Sequence, residues 1–164
     1  MALATNLLFI RRKVGGRMKS LLILLIGAMT LLSFAQGRPD VGFQVVERGV
    51  HSGENEAGLR VYRTERAFEE FAKEHGDDRV KRLVKNTDWN TDQLIVVFAG
   101  RQPSGGYSID VKRIANIDVQ RLQVEAKINK PRSDEMVTQA LTTPYVIIRM
   151  QRQVAAIKVK FLTD

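Results

Sequence analysis

The sequence contains no cysteine. That excludes disulfides, cysteine-ligated zinc, thiol catalysis and an acylated-cysteine lipid anchor. Histidine occurs only at His51 and His75, and with no cysteine beside them no transition-metal ligand set is visible. No H-E-x-x-H is present, and no Gly-Lys-Ser/Thr follows a glycine-rich turn, so the zinc-protease and P-loop patterns are both missing. Acidic residues are absent from residues 1–35, which carry Arg11, Arg12, Lys13, Arg17 and Lys19. The formal charge of +8 therefore overstates the basicity of the rest, where 21 basic residues face 18 acidic ones. A balance that mild does not call for nucleic acid. Aromatic side chains make up 7% of the chain, too sparse along the basic strands to build a base-stacking surface.

What is present begins with an export signal. Basic residues precede the apolar run Leu21–Leu32, and Ser33 and Ala35 occupy the −3 and −1 positions of a cut after Ala35. This is the layout of a secretory signal peptide. The run is shorter than the roughly 20 residues that span a bilayer, so no permanent membrane span is expected after cleavage. Met18 starts a signal of ordinary size, and residues 1–17 read as an upstream extension or a long basic n-region. The expected arrangement is a signal over residues 1–35, then one β-rich domain over 36–164, exported to the periplasm or secreted. Oligomeric state is not readable from the residues.

In the mature part, Val41–Val50 and Leu59–Arg63 read as strands around a turn at 52–58. Thr64 is an N-cap, with Glu65 in the first turn, where negative charge suits the helix dipole. Ala67, Phe68, Phe71 and Ala72 then recur at helical spacing. A helix over 65–75 follows, closed by Gly76. Asp77 or Asp78 caps a second, short helix through Val84.

From Leu94 onward the pattern is that of strands. Leu94–Ala99 is wholly apolar. The chain then breaks at Gln102-Pro103-Ser104-Gly105-Gly106 and leaves in alternation through Tyr107, Ile109 and Val111. This is a buried strand, a glycine corner and a half-buried strand. The corner needs glycine because the chain must reach positive φ there or let another segment approach closely. Leu122, Val124, Ala126 and Ile128 alternate with polar residues, and Lys130–Glu135 is a polar loop. Tyr145–Met150 is apolar on both faces, as a central strand must be. Ile157, Val159 and Phe161 alternate in the last strand. The expected fold is mainly β (α+β): an antiparallel β-sandwich or barrel-like sheet with one amphipathic helix near residues 65–75.

Two patterns resemble chemistry and fail in detail. Asn86, Asp88, Asn90 and Asp92 alternate like the start of a calcium loop, but Gln93 replaces its turn glycine and Ala99 its bidentate glutamate. Ser104 sits in a glycine corner, but Gln102 takes the first glycine position of a nucleophile elbow. No catalytic, metal or cofactor-binding residue is assigned, and the chain is expected not to be an enzyme.

Two segments carry a family resemblance. Gly100-Arg101-Gln102-Pro103-Ser104-Gly105-Gly106-Tyr107-Ser108-Ile109 resembles the G-x-x-P-T/S-G-G-Y-x-I/V segment of the PrcB C-terminal domain family. Thr138-Gln139-Ala140-Leu141-Thr142-Thr143-Pro144-Tyr145 resembles that family's later T-x-A-x-T-x-P-Y segment. Order and spacing match over roughly residues 90–162. The resemblance implies a small extracytoplasmic β domain, and the family takes its name from a non-catalytic component of a secreted protease complex. The lipid anchor associated with the prototype has no cysteine to sit on here. The implied function is a non-catalytic binding module of the cell envelope or secreted space, helping a protease complex assemble or remain stable. Its partner-contact or structural corner would be Pro103, Ser104, Gly105, Gly106 and Tyr107, with Thr143, Pro144 and Tyr145. Two alternatives stand beside it. The Pro-Ser-Gly-Gly-Tyr loop is similar to a loop of chagasin-like protease inhibitors, whose companion loops are missing. The basic strands could instead hold an anionic surface.

Overall fold

The computed structural model describes residues 39–75 and 78–163. The signal peptide over 1–35, the alternative start at Met18 and the caps expected at Gly76 and Asp77 lie outside the described residues. The elements in chain order are β1 (Phe43–Gly49), β2 (Ala57–Tyr62), α1 (Glu65–His75), α2 (Asp78–Lys85), β3 (Asp92–Ala99), β4 (Ser108–Asn116), β5 (Arg121–Asn129), β6 (Tyr145–Gln151) and β7 (Ala156–Phe161).

The strands form two sheets, ordered β1-β6-β3-β2 and β4-β5-β7. The four-stranded sheet is the middle of three layers, and this explains its sequence. Ile95, Val97 and Ala99 of β3, with Val146, Ile148 and Met150 of β6, pack on Ile109, Ile114, Leu122 and Val124 of the other sheet. Leu94, Val96 and Phe98, with Tyr145 and Ile147, face the other way onto the helices. A strand covered on both faces has little solvent side, so Leu94–Ala99 and Tyr145–Ile148 run apolar without a break. β7, at the margin of its sheet, keeps the period-2 alternation.

The helices supply the third layer. Thr64 Oγ1 accepts a long hydrogen bond from Ala67 N, 3.4 Å, and Thr64 O accepts one from Phe68 N at 3.2 Å. Phe68 and Phe71 are buried against Tyr62, with ring centroids 5.4 and 5.2 Å from it. Ala67, expected in the apolar stripe, is exposed. Burial of a phenylalanine contributes roughly 1.5–3 kcal/mol. Phe68→Ala, which also leaves a cavity, would cost about 3–5 kcal/mol. In α2, Val80 and Leu83 are buried. Trp89 closes this cluster and donates from Nε1 to Val84 O at 2.9 Å.

The mainly β, two-sheet fold agrees with the sequence reading, and the sheets do not close into a barrel. One pair departs from the antiparallel expectation: β7 runs parallel to β5. The chain leaves β5, crosses to the other sheet as β6 and returns as β7. A bulge between Val111 and Arg113 in β4 also breaks the simple alternation. It exposes Lys112 and Arg113 together and returns Ile114 to the core.

Candidate functional site

The glycine corner carries the chain from one sheet to the other. β3 ends at Ala99, and Gly100 turns with φ +70°. A Cβ at Gly100 would stand 2.7 Å from Ala57 N and 3.0 Å from Asn55 O. No side chain fits there, because the obstructing atoms are backbone. Arg101 N donates to that same Asn55 O at 3.0 Å.

The next residues knit the corner to the second family-like segment. Gln102 N donates to Thr142 O at 2.8 Å, and Thr142 N donates to Gln102 O at 3.1 Å. The buried Thr142 hydroxyl donates to Ser104 O at 2.8 Å. Gly105 N donates to Thr138 O at 2.8 Å, and a Cβ on Gly105 would meet Thr138 Oγ1 at 2.5 Å. Gly106 has φ +78°, and its missing Cβ leaves room for Val137 and Pro131. Gly106 adopts a left-handed conformation, while at Gly105, with no positive φ, an added Cβ would crowd only the hydroxyl of the exposed Thr138, whose backbone stands 3.5 Å away.

Thr143 ties in a third loop. Its N donates to Val50 O at 2.9 Å, and its Oγ1 accepts from Ser52 N and Gly53 N at 2.8 and 3.0 Å. Ala99 N donates to Pro144 O at 2.9 Å. The loops at 50–56, 100–107 and 130–144 are therefore one hydrogen-bonded assembly at the end of the sheets.

The eight residues singled out from the sequence divide in this frame. Tyr145 and Pro144 are buried, and Tyr145 belongs to the helix-side core. Thr143, Ser104 and Gly105 are partly buried and hold the loops together. Ser104 Oγ donates to Gly105 O at 3.0 Å, a local turn contact. Pro103 and Gly106 are exposed. Tyr107 lines a shallow depression of roughly 120 Å³ beside Arg48, Gly49 and Val50. Below it Arg48 pairs with Asp110 at 3.1 Å. Burial works against ionisation of Asp110, but hydrogen bonds from Asn129, Arg48 and Lys112 outweigh it and hold the carboxyl below its ordinary value.

Sequence reasoning missed the side chains that this assembly leaves bare. Met136 is fully exposed, and Val50 and Leu141 are 54% and 53% exposed. All three stand on the joined loops. No periodicity marks them, because none lies in a regular element; only an apolar residue inside a polar loop could have drawn notice. Thr138 and Thr142 were visible as parts of the second segment, but not as hydrogen-bonding partners of the first.

The calcium-like run does other work. Asp88 Oδ1 accepts from Asn90 N at 3.0 Å, and Asp88 O accepts from Asp92 N at 2.8 Å. The backbone N–H of Asn90 keeps this carboxyl ionised below the usual range. Among the described residues no group of three or more His, Cys, Asp or Glu stands close enough to hold a metal.

Residues 94–151 match the family model described as PrcB C-terminal. The match runs from β3 to the end of β6, about a third of the chain, and contains both resembling segments. No curated protein and no solved structure matches the chain.

Proposed function

We propose, from the PrcB C-terminal match over residues 94–151, that this chain is an exported, non-catalytic protein-binding module that assists a protease complex. The contact surface is the loop end assembled by the corner. The observation that carries this is the set of three exposed apolar side chains, Val50, Met136 and Leu141, on loops that hydrogen bonds fix in place. Apolar anchors on rigid loops desolvate readily against a partner and lose little entropy in doing so. Ser104 engages a local carbonyl, which supports a binding role for the corner rather than nucleophilic chemistry.

The test compares the mature chain with a Val50→Ser/Met136→Ser/Leu141→Ser variant in pull-downs from the source organism's envelope and medium. The expected result is a protease captured by the natural chain, lost with the variant, and longer-lived when the chain is present. Capture that the variant leaves unchanged, or a captured set without a protease, would refute the proposal. A protease whose turnover slows in proportion to added chain would favour the inhibitor reading instead.

A further inference from the structure

The chain offers oxidants few targets. It has no cysteine, and after Ala35 its only methionines are Met136 and Met150. With thiols missing, the thioether is the side chain that two-electron oxidants attack. The fold treats the two sulfurs in opposite ways. Met150 is 2% exposed and packs between the sheets beside Val146 and Ile148. Met136 is fully exposed. An oxygen donor reaches Met136 in the folded chain, but reaches Met150 only when the sheets part.

The loop holds Met136 without using its side chain. Before it, Glu135 N donates to Arg132 O at 3.0 Å, and Arg132 N donates to Glu135 Oε2 at 3.3 Å, which closes a turn. After it, Thr138 O accepts from Gly105 N at 2.8 Å. A change at Sδ thus alters the polarity of the loop and leaves its bonds in place. Oxidation by hydrogen peroxide is such a change. The Sδ lone pair attacks a peroxide oxygen, the O–O bond breaks, an S–O bond forms, and the other oxygen leaves as water. Sulfur loses two electrons and peroxide gains them. The product is a polar sulfoxide where an apolar tip stood. A dithiol reductase reverses the step, releasing the oxygen as water and ending as a disulfide.

We propose that Met136 is a reversible oxidation site through which peroxide weakens the loop-end contact face. The weakening rests on the binding function proposed above; the oxidation site does not. A sulfoxide at Met136 must stay solvated and withdraw from the partner, or be buried as an unpaired acceptor. Val50 and Leu141 carry no sulfur and keep their share of the face. Binding should therefore fall by about tenfold rather than vanish.

The test treats the folded mature chain with hydrogen peroxide and then removes the peroxide. The product is divided between peptide mass mapping, thermal melting, a phenyl column and the pull-down. One added oxygen is expected on the Met136 peptide and none on the Met150 peptide. The melt should match that of the untreated chain, elution from the column should come earlier, and protease recovery should drop about tenfold. Methionine sulfoxide reductase should restore both elution and recovery. Met136→Leu is compared only with itself, and peroxide should leave its elution and recovery at their own untreated levels. Oxygen gained by Met150 as fast as by Met136, or a lowered melt in the singly oxidised chain, would overturn the site. Equal recovery by oxidised and untreated natural chains, or the same peroxide loss in Met136→Leu, would overturn the effect on binding. A natural chain that captures no protease before treatment would overturn the proposed function and that effect together, and the mass map would still decide the site by itself.

Discussion

Replacing Gly100 by alanine tests whether the corner is built on backbone contact or on φ alone, provided Gly53→Ala is made beside it. Both glycines are left-handed, with φ +70° and +75°. A Cβ on Gly53 meets nothing within 4 Å, whereas one on Gly100 meets Ala57 N at 2.7 Å and Asn55 O at 3.0 Å. Alanine in the left-handed region costs about 1–2 kcal/mol, and stiffening of the unfolded chain returns about 0.4–1 kcal/mol. Gly53→Ala should therefore lose about 0.5–1 kcal/mol. Gly100→Ala carries the same loss and must also displace backbone that Arg101 and Asn55 hold together, an overpacking cost of about 1–3 kcal/mol. Its total is about 1.5–4 kcal/mol. For a domain of this size about 1 kcal/mol corresponds to about 4 °C. Thermal melts of the mature chain should thus fall by about 2–4 °C for Gly53→Ala and about 6–16 °C for Gly100→Ala. Urea midpoints should keep the same order. Equal losses in the two variants would show that the close approach at Gly100 carries no energy and would refute the account of the corner.

Gln93 is fully buried on β3, and neither end of its amide has a hydrogen-bond partner. Gln93→Met, of similar shape, should raise stability by about 1–3 kcal/mol; a lowered melting temperature would reveal a partner for the amide. Glu125 is held below its ordinary value of 4.5, first by the hydrogen bond from Arg113 and then by that guanidinium's charge. A carboxyl with a depressed folded pKa stabilises above its unfolded value and loses that contribution as pH falls through the folded one. Acid melts should therefore steepen below about pH 4.5, less so in Glu125→Gln; identical acid profiles would remove the pair as a cause. A reporter fused after residue 40 should be exported and begin at Gln36 by N-terminal sequencing, and retention of residues 1–35 would count against a cleaved signal.

How much of this was legible follows from which physical rule each residue obeys. β3 and β6 could be read as central strands because both their faces are covered, and such a strand shows as a near-continuous apolar run. α1 was legible from Thr64 and the spacing of Phe68 and Phe71, which obey the helical period. The parallel direction of β7 was not, since Ile157, Val159 and Phe161 alternate identically in either direction. The bulge at Lys112 was hidden for a related reason: two polar residues in succession look like an ordinary strand end. Within the corner, positive φ at Gly106 could be anticipated from the residue type. The approach of Thr138 to Gly105 joins residues more than thirty apart in the chain, and long-range proximity leaves no trace in local pattern. Exposure of Met136 is likewise a property of how the loop is pinned, not of the residues beside it.

The same geometry decides where function can be tested. Gly105, Thr142 and Thr143 hold the loop end together through backbone atoms and through hydroxyls bonded across the three loops, and Gly100 lets the backbone of Asn55–Ala57 approach. A substitution at any of them shifts the loops and removes stability along with any contact, so lost binding there would carry no information about contact. Val50, Met136 and Leu141 are on the same assembly, and an apolar side chain takes no part in its hydrogen bonds. Shortening them to serine removes apolar surface from the face and leaves every bond of the scaffold in place. A binding defect confined to those three, in a chain that melts as the natural one does, would separate recognition from the architecture that the family-matched segment builds.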